Sequence, residues 1–333
     1  MRFYYMRRIL FFVMSYGMRV MVFIACICCF QTMTAQNDGN VSMYWAVPGQ
    51  FNPATVGSDS AMNVSAFDRM QWVGVEGAPQ TFFAAVDMPF KLMKKRMGAG
   101  LNVLNDKAGL FSTTIIGAQY SYSQKLLDGR LALGAQLGMV NQAFKGTDIY
   151  IPDGDAWEPS DDYLPRTDVS GMSVDFGFGA YYQRSFGKRD FYAGLSMMHL
   201  NEAEIDLDEY AYSQQKRTYY FLAGGNIPVS RTLFIVHPSV LVKTIGQATV
   251  VDVTMRASYD HRFWGGLSYR HGDAVVMMLG ADIQSIRLGY SYDIGTSALA
   301  RVSSGSHELM VTYKLKIDLD KNKKHPHKSI RIL

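Results

Sequence analysis

Residues 248–294 read ATVVDVTMRASYDHRFWGGLSYRHGDAVVMMLGADIQSIRLGYSYDI. Val251, Val253, Met255, Ala257 and Tyr259 fall on one side of a period-two pattern, and Val250, Asp252, Thr254, Arg256 and Ser258 on the other. That period is a strand's. Three more alternating runs follow: Phe263, Gly265, Leu267 and Tyr269 against Trp264, Gly266, Ser268 and Arg270; then Val275 to Asp282; then Ile286 to Asp293. Turns of two or three residues separate them, which permits only antiparallel neighbours. The less apolar side carries Asp252, Arg256, Arg270, Asp282 and Arg287 with glycines between them. Such a crowded, charge-paired face suits the interior of a membrane barrel better than the wet face of a soluble sandwich.

Working outward, the remaining chain repeats the pattern. Fourteen strands are expected, at about 60–68, 78–88, 96–105, 112–124, 130–141, 171–183, 190–199, 217–227, 233–243, 249–259, 262–270, 274–282, 286–294 and 306–315. Most approach the roughly 9–11 residues that a tilted transmembrane strand needs. The fold class expected is all-β, an up-and-down antiparallel barrel. The connections sort by length: one end collects short turns near 89–95, 125–129, 184–189, 228–232, 260–261 and 283–285, the other every long loop, including 142–170 and 200–216. Outer-membrane barrels keep short turns in the periplasm, so both termini are expected there. Trp72, Tyr120, Tyr122, Tyr182, Tyr219, Trp264 and Tyr292 lie near strand ends as candidates for interfacial girdles.

The chain is 48% hydrophobic and 13% aromatic, with near-zero mean hydropathy, as when an apolar outer face is diluted by a polar inner one. Residues 1–35 resemble a secretory signal peptide: Arg2, Arg7, Arg8 and Arg19, the apolar run from Val20 to Phe30, then Thr32-Met33-Thr34-Ala35. An uncleaved anchor, or a lipoprotein cut before Cys26, matches less well. All three cysteines, Cys26, Cys28 and Cys29, lie in this leader, so the mature chain is expected to lack disulfides and thiolate chemistry. The leader holds four of the 33 basic residues and none of the 29 acidic ones, which leaves 29 of each. The expected organisation is 1–35 leader, 36–59 irregular segment, 60–315 barrel and 316–333 basic tail. Segment 36–59, with Phe51-Asn52-Pro53, is too apolar for a free tail and is expected in or under the barrel, the alternative being a flexible lead-in.

No catalytic, cofactor-binding or metal-binding residue emerges. Ser306-His307-Glu308 are adjacent on a strand and point to opposite faces, so they cannot form a triad; His307 is expected on the lipid side with Leu309. Asp153, Asp155, Glu158, Asp161 and Asp162 in the acidic loop lack the spacing of a calcium-binding loop. The tail holds Lys316, Lys321, Lys323, Lys324, Lys328 and Arg331. It lacks interleaved aromatics, so nucleic acid is not expected as a partner; an acidic protein surface or the cell wall in the periplasm is, the alternative being a merely solvated tail.

Several patches, in order along the chain, resemble the PorP/SprF family of type IX secretion system outer-membrane proteins of the Bacteroidetes. They are Phe51-Asn52-Pro53-Ala54 with Gly57, Arg69-Met70-Gln71-Trp72-Val73-Gly74, Gly100-Leu101-Asn102-Val103, Phe191-Tyr192-Ala193-Gly194-Leu195-Ser196, Phe263 to Arg270, Gly289-Tyr290-Ser291-Tyr292-Asp293 and Gly305-Ser306-His307-Glu308. The chain departs from the family in its basic tail and long acidic loop. The resemblance implies a non-enzymatic outer-membrane component. Its partners would be periplasmic ring and cell-wall-associated proteins of the machine, cargo bearing a C-terminal sorting domain, and lipid. A porin-like or hydrophobic-solute channel is the alternative; ion conductance separates the two.

Overall fold

The computed structural model describes residues 39–148, 167–208 and 211–317. The expected leader, the acidic core of loop 142–170 and most of the basic tail lie outside the described residues. Fourteen antiparallel strands close into a barrel. They are β1 (Ala61–Met70), β2 (Gln80–Leu92), β3 (Lys95–Ala108), β4 (Phe111–Leu126), β5 (Gly129–Phe144), β6 (Val169–Phe186), β7 (Arg189–Met198), β10 (Thr218–Pro228), β11 (Phe234–Ile245), β12 (Ala248–Tyr259), β13 (Phe263–Arg270), β14 (Ala274–Ile283), β15 (Ile286–Gly295) and β16 (Ser306–Lys316). β1 pairs with β16 along ten residues, which removes the sheet edges. The remaining pair, β8 (Glu204–Asp208) and β9 (Ala211–Gln214), forms a separate hairpin between β7 and β10.

The outward face explains why this sheet needs lipid. Leu101, Ile116, Leu137, Phe178, Leu195, Met255, Leu267, Leu279 and Leu309 are exposed on nine of the fourteen strands, an apolar belt far beyond what a water-soluble monomer tolerates. Several turns at one end contain just two residues. Met93 with Lys94, and Leu127 with Asp128, have positive φ at both positions, the hairpin geometry whose twist matches that of the flanking strands. The opposite end carries 71–79, the span that includes the β8–β9 hairpin, and 296–305.

Inside, the middle of the barrel is apolar rather than uniformly charged. Phe67, Phe83, Met198, Tyr220, Leu222, Leu241, Val276, Met278 and Met310 point inward and pack around Val41, Met43, Tyr44, Val47 and Phe51. Trp264 corrects the expectation of a girdle: it is 5% exposed, faces the lumen and lies over Gly280 and Gly289, where any Cβ would collide with it. His307 does face outward, where its Nδ1 meets the Tyr290 hydroxyl at 2.7 Å, while Glu308 turns inward and is fully buried.

Candidate functional site: the lumen and its plug

The segment from Gly39 to Asp59 runs through the barrel as three short 3-10 turns, Tyr44–Ala46, Pro48–Gln50 and Pro53–Thr55. Such turns leave many backbone groups without helical partners, and the barrel wall supplies them. Ser121 donates to the Val56 carbonyl at 2.6 Å, Ser196 to that of Phe51 at 2.6 Å and Gln119 to that of Gly49 at 2.7 Å. Asn52 accepts from the Ala54 amide and donates to the carbonyl of Ala180, closing the turn that Pro53 starts. Glycines make the sockets. A Cβ on Gly134 would overlap Pro53 and Ala54, one on Gly179 would overlap the Asn52 side chain, and one on Gly98 would overlap the Val56 carbonyl.

The upper part of the plug is pinned by a buried charge cluster. Glu308 accepts from the amides of Ser42 and Met43, each at 2.8 Å, and from Arg69 at 3.3 Å. Arg69 also reaches Asp293 at 2.7 Å, and Arg270 bonds Asp252 at 3.0 Å, Asp293 at 3.1 Å and Asp273 at 3.2 Å. The Ser42 hydroxyl donates to Asp293 at 2.8 Å and accepts from both guanidinium groups. Buried charges persist only when paired and hydrogen-bonded, and here the plug completes the pairing. Tyr44 closes the next layer: it is fully buried and its hydroxyl meets Ser239 at 2.9 Å.

The plug has a direction. Gly39 lies beside Thr81 and Asp106, and Lys243 reaches Asn40 at 2.7 Å; these wall residues stand at the long-loop end. Asp59 leaves at the short-turn end. Its carboxyl is opposed by burial, yet Lys314 at 3.1 Å, the Ser60 amide and Arg96 hold it below the usual carboxylate range. β1 and β16 meet at that end as expected, but the first described residue lies at the other. A second closure sits at the long-loop mouth, where the β8 residue Ile205 is fully buried against Ile115 and Val140. Below it, His199 and the buried Asp175 are 2.9 Å apart.

At the short-turn end the lumen widens into a cavity of about 1030 Å³. Trp45, Arg256 and His237 line its inner part, Tyr181 and Tyr192 one wall, and Arg130 and Arg184 its mouth. Arg184 pairs with Asp128 at 3.1 Å, and Arg287 pairs with Asp282 across adjacent strands.

Comparison with solved structures returns outer-membrane barrels. The "TodX deltaS2S3 mutant monoaromatic hydrocarbon channel" has a TM-score of 0.50 at 10% identity, covering 80% of this chain and 93% of that one. The Pseudomonas putida toluene transporter TodX follows with a TM-score of 0.47 at 9% identity (81% and 94% covered). The Acinetobacter baumannii outer membrane protein Omp33 has a TM-score of 0.42 at 8% identity (77% and 98% covered). At such identities the likeness shows the barrel fold alone. No curated protein matches the sequence. One family model does, described as type IX secretion system membrane protein PorP/SprF, over residues 33–313.

Proposed function

Because the chain belongs to the PorP/SprF family of type IX secretion system membrane proteins, we propose that it serves this export apparatus in the outer membrane as a plugged scaffold and not as a pore. In this reading it holds periplasmic components of the machine at its short-turn end and supports the export or surface attachment of cargo bearing a C-terminal sorting domain. The family is non-enzymatic, so the work of the chain is to place partners.

The observation that carries the reading is the occupied lumen. Residues 41–56 take up the wall's polar groups layer by layer, and Tyr44, Ala54, Ser42 and Met43 are at most 1% exposed. A diffusion channel needs a wet path through the middle, which these residues fill with apolar and paired groups. Supporting the docking role, the short-turn rim is strongly basic, with Lys91, Lys94, Lys95, Arg96, Lys125 and Arg130 on two neighbouring turns, and electrostatic complementarity steers acidic partners to such a surface. Short turns of outer-membrane barrels lie in the periplasm, where ring components would be met. Purification from outer membranes in mild detergent tests this: periplasmic secretion components should co-purify, and recovery of the barrel alone would count against it.

A further inference from the structure

Arg256 stands at the inner end of the short-turn cavity in a setting that the plug does not explain. Its guanidinium carbon lies 3.7 Å from the ring centroid of Trp45 and 5.8 Å from that of Trp264. Stacking engages a face of the guanidinium and leaves its N–H donors, which lie in the plane, to other groups. Its Nε is buried without a hydrogen-bond partner. The carboxylate that could serve it from β14, Asp282, gives both oxygens to Arg287, and Asp252 on its own strand is held by Arg270. His237, directly opposite on β11, has both ring nitrogens engaged by Asn226 and Ser258. On the other side Gly266 presents no side chain at all. Every other buried guanidinium described above reaches a carboxylate; this one faces a cavity instead. At the mouth, Arg130 has no carboxylate within ion-pair distance among the described residues.

We propose that this cavity binds a carboxylate-bearing peptide segment entering from the short-turn end, with its acid group on Arg256 and its apolar side chains against Tyr181 and Tyr192. A planar carboxylate matches the fork of a guanidinium, and pairing supplies the counter-charge that Arg256 lacks. The cavity is far larger than one small anion, and aromatic walls suit side chains and peptide planes. With Arg184 and Arg287 already paired, Arg256 deep inside and Arg130 at the mouth fit acid groups spaced along a chain better than a compact, multiply charged phosphate. The proposal is independent of the secretion reading, because it concerns the barrel by itself.

The test uses the detergent-solubilised protein and three probes: a blocked pentapeptide with a central glutamate, its glutamine counterpart, and inorganic phosphate, with binding followed by titration calorimetry. The glutamate peptide should bind saturably, with the other two about tenfold weaker or worse, as loss of a charge-assisted pair implies. Arg256→Gln should weaken it by a similar factor. Gln183→Trp, which fills the cavity and removes no cation, should do the same, so a displaced Trp45 cannot by itself account for the result. Lys188→Gln, on the exposed β6–β7 turn at the same end and outside the cavity lining, should leave affinity within about twofold, since exposed charges contribute little. The proposal is overturned if both peptides bind alike, if phosphate binds and the peptide does not, or if affinity follows Lys188 rather than Arg256.

Discussion

Replacing Glu308 by Gln should release the upper plug while the barrel stays closed. The carboxylate holds two plug amides at 2.8 Å and Arg69 at 3.3 Å. A glutamine keeps one acceptor oxygen for one amide but turns an NH2 group toward the other, and it offers Arg69 no charge. Hydrogen bonds to charged groups contribute about 1.5–3 kcal/mol each, and removing one partner of a buried pair costs about 3–5 kcal/mol. The two figures overlap, because the same oxygens serve both roles, so docking should weaken by about 3–5 kcal/mol. Arg69 retains Asp293 at 2.7 Å, which keeps the loss from running higher. At ~1.4 kcal/mol per tenfold, amide hydrogen exchange across residues 41–47 should speed up by about 10² to 4 × 10³-fold, read by mass spectrometry in detergent. Amides in the middle of β4 should not change. If the plug amides of the variant stay within about threefold of wild type, the cluster does not hold the plug and the reasoning fails.

Other sites are predicted to respond as follows. Gly134→Val drives a side chain into Pro53 and Ala54; protection of residues 51–56 should fall while the barrel remains heat-modifiable on gels, and unchanged protection would show that the turn sits elsewhere. Gly39→Cys with Thr81→Cys should cross-link readily, because a Cβ on Gly39 would lie 3.1 Å from the Thr81 hydroxyl and the only native cysteines are 26, 28 and 29; failure to cross-link would put the start of the plug away from the long-loop end. In planar bilayers the intact protein should stay closed, and deletion of residues 41–56 should produce conductance; an equally conducting intact protein would favour the channel reading. Asp59 has a lowered folded-state pKa, so its contribution is present above the ordinary carboxylate value of about 3.9 and disappears as pH falls through the lower folded value. Neutral-to-mild acid should therefore leave the exit of the plug intact, and loss of protection at residues 57–60 already at pH 5 would contradict the Asp59–Lys314 pairing.

Strand number, facing and turn lengths were legible because they are local. Period-two alternation at Leu131 to Met139 or Met172 to Ala180 needs no knowledge of any distant partner, and a two-residue turn allows one neighbour. The route of the plug was not legible, since Ser42 meets Glu308 across 266 positions and nothing within either patch names the other. The family-like patches look unrelated in the sequence, yet in the fold they converge. Asn52 fits against Gly194, Val56 against Gly100, and Arg69, Arg270, Asp293 and Glu308 gather on Ser42 and Met43. Trp264 misled because its place near a strand end suggested a girdle, although the period-two pattern already put it on the Ser268 and Arg270 side, which faces the lumen; Gly280 and Gly289 leave it room there. The β8–β9 hairpin escaped because four- and five-residue strands carry too little alternation to register.

The most direct measurement of the central claim is the protein content of the cell surface and culture medium in a strain lacking this chain, compared with the same strain carrying it again. A plugged scaffold of the type IX machine predicts that a defined set of exported proteins with C-terminal sorting domains disappears from the surface and returns on restoration. Unaltered export, with uptake of a small solute lost instead, would contradict it.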